Sequence, residues 1–189
     1  VLRIEAPAEP ADVVPGESIA LLGLSVTPDP QTRDDDAIVA NGLGQATQVQ
    51  VRGWVDQDGS LHATRVRERG NPDILDLSLR GPAADLAAPM LSIVGIPIDT
   101  AQSSFQDEFG TPLTAAEFFA LLTAGDIVDI GGARFDVDGT TLIGGVMTYI
   151  GPVAARAASR GAAGRVLFGT VTLGLFPERL FFDGFDEAP

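Results

Sequence analysis

An Asp-x-Asp-Gly turn occurs twice in this chain, as Asp56-Gln57-Asp58-Gly59 and as Asp136-Val137-Asp138-Gly139, and each copy lies between alternating apolar stretches. Asp-Gly is a favoured pair for a tight hairpin, because its glycine adopts positive φ without strain. Each copy therefore predicts an antiparallel hairpin, 46–55 with 61–68 and 126–135 with 141–149. The surrounding residues can be overlaid as well. Residues 2–8 match 77–83, Leu22-Gly23-Leu24-Ser25-Val26 matches Val94-Gly95-Ile96-Pro97-Ile98, and Val66 falls on Val146 after the turns. Matching stations in the same order predict two repeats, 1–70 and 74–151, followed by an extension, 152–189.

The first repeat reads as a strand at 1–5, a proline- and acid-rich loop at 6–15, and short strands at 18–22 and 24–27 around Gly23. An acidic loop at 28–36 and a helical turn within 37–44 precede the hairpin. Val49, Val51, Gly53 and Val55 share one face of its first strand. Gly70-Asn71-Pro72-Asp73 reads as a boundary. The second repeat begins with a strand at 75–80, a loop at 81–89, strands at 90–94 and 96–99 around Gly95, and a polar loop at 101–110. A helix then covers 114–123. Thr114 with Glu117 three residues on forms a capping box, whereas Pro112 suits a first turn and places the start slightly earlier. Phe118, Leu121 and Leu122 form its apolar stripe with Phe119 beside it, and Gly125 ends it. Gly131-Gly132 predicts a bulge or bend in the next strand.

The order strand, strand, strand, helix, strand, strand predicts a mainly β fold of two tandem OB-like five-stranded barrels, the second with a short helix between strands three and four. Phe118 and Leu122 would plug one barrel end. In the extension, 152–165 reads as a loop or frayed helix. The stretch 165–176 reads as further strand, and 177–189 as an acidic tail holding three phenylalanines.

The 189 residues suffice for one large domain or two small ones. Acidic residues number 26 against 12 basic ones, a net charge of −14. That field predicts no nucleic-acid partner. All twelve basic residues are arginine, which reads as the composition bias of a GC-rich genome rather than an arginine-specific function. Cysteine is absent, which excludes disulfides and thiolate metal sites. No apolar run is long enough to cross a bilayer as a helix. A start at Val1, without methionine or an apolar leader, reads as a mature product or a trimmed fragment.

Asp56, Asp58, Asp136 and Asp138 open like calcium loops, but the closing glutamate and the remaining oxygen ligands are missing and a strand follows at once. They read as turn residues. His62, the only histidine, reads as a surface or cross-strand residue. Trp54 reads either as cover for an apolar gap between the repeats or as a stacking platform of the kind OB-folds use. Asp34-Asp35-Asp36 and Asp107-Glu108 occupy corresponding loops and read as solvated charge, with a gathered cation as the alternative. No phosphate loop or nucleophile elbow occurs, and no carboxylate pair has a recognisable setting. The expectation is no catalytic, cofactor-binding or metal residue and no cofactor.

One succession of residues carries a family resemblance: Val94-Gly95-Ile96-Pro97-Ile98, Thr100, Phe118-Phe119, Gly125-Asp126-Ile127-Val128, Gly132 and Asp138-Gly139. It resembles the bacterial domain of unknown function 5666. The first repeat keeps Leu22-Gly23-Leu24-Ser25-Val26, Gly53, Asp58-Gly59 and the return strand at 61–66, without the helix and its phenylalanines. The resemblance implies an exported bacterial protein of repeated small β-barrels. Leu180-Phe181-Phe182-Asp183-Gly184-Phe185-Asp186 is similar to a short ending found on exported proteins of some Gram-negative bacteria. Together these imply a periplasmic, outer-surface or secreted protein. Its expected role is a non-catalytic binding or spacer module of the cell envelope, with a protein or glycan partner. The alternative is a carbohydrate-active hydrolase that uses an acidic pair.

Overall fold

Alternation sets the first strand. Leu2, Ile4, Ala6 and Ala8 are buried, while Arg3, Glu5 and Pro7 lie on the opposite face of β1 (Leu2–Ala8). The computed structural model describes residues 1–152. After β1 come a 3-10 turn (Pro10–Asp12), β2 (Val13–Val14), β3 (Ser18–Leu21), β4 (Leu24–Asp34), α1 (Ile38–Asn41), β5 (Thr47–Val55) and β6 (Leu61–Gly70). The second half holds β7 (Leu77–Ala87), β8 (Met90–Ile93), β9 (Ile96–Asp99), β10 (Ser104–Asp107), β11 (Pro112–Leu113), α2 (Ala115–Leu121), β12 (Ile127–Phe135), β13 (Leu142–Ile143) and β14 (Val146–Gly151). The protein is mainly β.

The second half closes on itself. β7 pairs with β8, β8 with β9, β9 in parallel with β13, β13 with β12, and β12 returns to β7. That ring is a five-stranded barrel. In the first half β3 pairs with β4, β4 in parallel with β6, β6 with β5 and β5 with β1. No ladder joins β1 to β3; β3 pairs instead with β2. β1 carries the join between the halves, since its other edge pairs antiparallel with β7, Ile4 opposite Leu79.

Both turns between short strands use the same backbone device. Leu22 and Gly23 have φ of 56° and 79°, and Val94 and Gly95 have φ of 53° and 82°. Two consecutive positive φ values match the right-handed twist of a two-residue hairpin. Gly53 answers to a different demand. A Cβ there would lie 1.7 Å from the His62 carbonyl oxygen, so the close approach of β5 to β6 at this bulge admits only glycine.

The capping box sets the start of α2. Thr114 is the N-cap, its hydroxyl accepts from the Glu117 N–H, and the Glu117 carboxylate accepts from the Thr114 N–H. Pro112 belongs to β11 instead. Phe118 is fully buried against Phe105, with ring centroids 4.9 Å apart, and Phe119 packs edge-on to it. Leu121 departs from the expected stripe and is exposed, and Leu122 ends the helix half-buried against the core. The Gly131-Gly132 bulge appears as a register shift between Ile130 and Ala133 against β7.

Several expected loops are strand. β1 continues through Pro7, and β4 runs on to Asp34 past Pro28 and Pro30. Its parallel ladder to β6 breaks between Pro28 and Arg33, so the prolines sit where no ladder donor is required. β7 extends to Ala87 because its outer part pairs with β8. The polar stretch 101–110 contains β10, which pairs in parallel with β14. The first half also has a helix, the single turn α1. The alignment of Val66 with Val146 is displaced. Val66 faces Val51 and is buried, whereas Val146 faces Gly131 and is exposed; buried Met147, opposite Ile130, holds the corresponding place. The double-glycine bulge and a longer turn shift the register. The expectations for 153–189, including the phenylalanine tail, lie outside the described residues.

Candidate functional site: an arginine row across the sheet

The face opposite the core carries an unusual rung. Arg33 on β4 is registered against Arg65 on β6, Arg65 against Arg52 on β5, Arg52 against Arg3 on β1, and Arg3 against Arg80 on β7. Five arginines on five adjacent strands thus form one line that crosses the join between the halves. Beyond Arg80 the line passes to Asp129 on β12. Arg67 and Arg69 follow Arg65 along β6.

Among the described residues, three carboxylates serve these seven cations. Asp35 takes both Arg33 at 2.5 Å and Arg65 at 2.5 Å. Glu5 takes Arg3 at 3.0 Å and Arg69 at 3.7 Å. Asp129 takes Arg80. Arg67 donates to the neutral Gln50 carbonyl oxygen at 2.7 Å, and the Gln50 amide in turn donates to Glu5 at 2.5 Å. Gln50 is buried with both ends of its amide engaged, so it fixes the spacing of Glu5 and Arg67. The Nε atoms of Arg3 and Arg80 are buried and have no hydrogen-bond partner.

The electrostatics follow from this count. Burial and the nearby Arg69, Arg65 and Arg52 hold Arg67 below its usual range, the mark of a positive local field. Burial pushes Glu5 up, but Arg3, Gln50 and Arg69 outweigh it and its carboxyl sits below the ordinary range. Hydrogen bonds from Arg65 and Arg33 lower Asp35 likewise. Like charges placed directly opposite one another in a sheet destabilise it. The row therefore stores repulsion that an anion laid along it would relieve.

Trp54 and His62 form the next rung on the same hairpin. They are cross-strand partners, and their rings stack at 5.0 Å with planes 16° apart. The His62 Nε2 is 4.0 Å from Asp56 Oδ2. The alternation of β5 puts Trp54 on the Arg52 face.

The other sequence candidates have local roles. Asp34 accepts from the Ile38 N–H at 2.8 Å and the Ala40 N–H at 3.2 Å, capping α1. Asp36 accepts from the Glu68 N–H at 2.7 Å. Asp107 accepts from the Phe109 and Thr111 N–H groups and shapes the β10–β11 turn. Asp58 and Asp138 accept from the Ser60 and Thr140 N–H groups of their own turns. Among the described residues no three acidic, histidine or cysteine side chains converge as a metal site. A shallow apolar pocket lies beside α2, lined by Pro89, Thr100, Ser103, Phe105 and Phe119. The Thr100 and Ser103 hydroxyls there already donate to the Pro89 and Gly144 carbonyls.

Sequence reasoning treats the arginines as composition and misses their alignment. The local trace is Arg65-x-Arg67-x-Arg69, the period of two that puts three cations on one strand face. Arg3, Arg33, Arg52 and Arg80 join it only through long-range pairing. Among known protein families, curated proteins and solved structures, none matches this chain.

Proposed function

We propose that this protein is a non-catalytic binding module of the bacterial cell envelope that recognises an anionic partner along the arginine row. The observation that carries the reading is the row itself: five arginines on adjacent strands of a chain with net charge −14. Random placement on an acidic surface would scatter cations among acids. Here, among the described residues, three carboxylates serve seven cations. In the same reading the chain is a pair of tandem OB-like barrels fused along β1 and β7, with α2 between the third and fourth strands of the second. The matching strand orders of the halves support this, as does the resemblance to the domain of unknown function 5666. Export is part of the proposal and rests on that resemblance and on the Leu180–Asp186 motif.

The hydrolase alternative needs a carboxylic acid that stays protonated near neutral pH. Among the described residues every carboxyl with a displaced pKa is displaced downward. That favours binding over catalysis.

The test is retention on an immobilised polyanion at neutral pH. The intact protein should be held and released by salt, despite its overall negative charge. The Arg52→Glu variant should elute earlier. Flow-through of the intact protein at low salt would overturn the reading, and release of new reducing ends from a bound glycan would overturn its non-catalytic part. Cell fractionation checks export, and a purely cytoplasmic protein would remove that element.

A further inference from the structure

Resting on the arginine row as the binding surface, we infer that its ligand is a linear acidic glycan with one carboxylate per sugar, lying across the strands with a sugar ring against Trp54. Three features of the site point to this class. The first is spacing. Adjacent strands stand about 4.8 Å apart, so the backbone positions of the five arginines follow one another at that interval along a line perpendicular to the strands, with the Arg33 and Arg65 guanidinium groups drawn together on Asp35. The rise of one sugar in an extended pyranose chain is close to that interval. A two-fold extended chain turns every second carboxylate to the same side, so alternate carboxylates meet alternate arginines without bending the ligand. Guanidinium presents a planar fork that matches a carboxylate in two parallel hydrogen bonds.

The second feature is what the free protein leaves unmade. Arg3 and Arg80 face each other across the β1–β7 ladder. Arg80 has its acid on the far side, Asp129 on β12, Arg3 has Glu5 two residues along its own strand, and each has a buried Nε without a partner among the described residues. Arg52, the middle of the row, is exposed, and among the described residues no carboxylate pairs with its guanidinium. The centre of the line thus has the most donors to spare.

The third feature is the Trp54–His62 stack on the rung beside Arg52 and Arg65. A flat ring pair next to cations suits a pyranose, whose apolar C–H face and polar rim are carried by one unit. A flexible acidic peptide has no use for it. A nucleic acid also combines anions with flat rings, so single-stranded DNA is an arm of the test.

The experiment is a titration followed by tryptophan fluorescence, since Trp54 is the only tryptophan. Oligogalacturonate is the probe, with poly-glutamate, neutral dextran and single-stranded DNA alongside. Oligogalacturonate should change the emission saturably. Calorimetry should show Arg52→Glu and Trp54→Ala each weakening it at least about tenfold. Both variants should keep the circular dichroism and melting temperature of the parent; Arg52→Ala and Trp54→Phe replace either that does not. If poly-glutamate or DNA binds as tightly and the Trp54 variant binds unchanged, the glycan inference falls while the arginine row stands as a general anion surface. If no polyanion binds at low salt, both fall. Dextran bound as tightly as oligogalacturonate would also overturn the inference, because charge would then be irrelevant.

Discussion

The two halves of the protein differ in how far their strands close. The second half completes a ring of ladders, because β7 is long enough to pair with β12 and β1 along its first part and with β8 along its second. β1 stops at Ala8, and Pro10 then opens a 3-10 turn, whereas β7 runs on past Pro82 to Ala87. The first half has no such ring of ladders, and Ala6, Ala8, Ile19 and Leu21 of β1 and β3 are buried in the common core. Their helices differ in kind too. α2 is capped by its own Thr114 and Glu117, whereas α1 begins at Ala37 in a left-handed conformation and borrows the Asp34 carboxylate from the end of β4. Phe118 enters the common core from α2, and Ile38 enters it from α1. The half closed by backbone ladders thus holds a large aromatic side chain from its helix, and the half without that closure buries small and branched ones.

The strongest break of this comparison is at the plugs. Phe118→Ala should cost about 3–5 kcal/mol, and Ile38→Ala about 2–5 kcal/mol. Denaturant melts of the two variants rank them. A loss below about 1 kcal/mol at Phe118 would show that the ladders alone hold the second half. Next comes Gly53→Ala, which forces a methyl onto the His62 carbonyl and should destabilise by about 1–3 kcal/mol. Trp54 emission should report that change, since Trp54 is the neighbouring residue. If emission and melting stay at parental values, the bulge is not rigid.

The caps sharpen the contrast further. Thr114→Ala should cost about 1 kcal/mol. Asp34→Ala, which strips two N–H groups of α1 of their acceptor, should cost a similar amount, about 1 kcal/mol. If Asp34 proves silent, α1 is held by Ile38 packing alone. The smallest effect is the pH dependence. Glu5, Asp35, Asp107 and Glu117 have folded pKa values below the ordinary 3.8–4.5. Their contribution is therefore fully present above that range and is lost as pH falls through the lower folded values. Melting temperature should be flat from pH 7 to about 5 and decline below. Trp54 emission follows the first half and far-ultraviolet circular dichroism follows the whole. A divergence between the two traces would show that the halves unfold separately in acid.

Much of this architecture is legible in the residues. The Asp-Gly turns, the glycine turns after Leu22 and Val94, the capped α2 and the double-glycine bulge are each written within a few residues. Backbone chemistry at those points depends on near neighbours alone. Strand ends are not so written. Pro28 and Pro30 carry a loop signal, yet β6 keeps β4 extended past them. The Ser104–Asp107 stretch looks polar because only Phe105 turns to the core. The candidate site is the least legible of all. Its arginines span positions 3 to 80, and pairing register, a property of the folded sheet, lines them up. Trp54 and His62 are each visible in the sequence, but their stack depends on the one-residue bulge beside Gly53.

The ladder between β1 and β7 limits how this chain can be divided. Ile4 meets Leu79 at positions that the overlay of the halves makes equivalent, with Arg3 against Arg80 and Glu5 against Ser78. Such a contact has the form of a two-fold interface between subunits, built here within one polypeptide. A cut at 70–73 would leave each fragment with a bare edge already shaped for a partner of its own kind. The separated pieces would be adhesive, inclined to pair with themselves or with each other. Continuity of the chain keeps that adhesion internal, and it sets the one geometry in which the five arginines share a line.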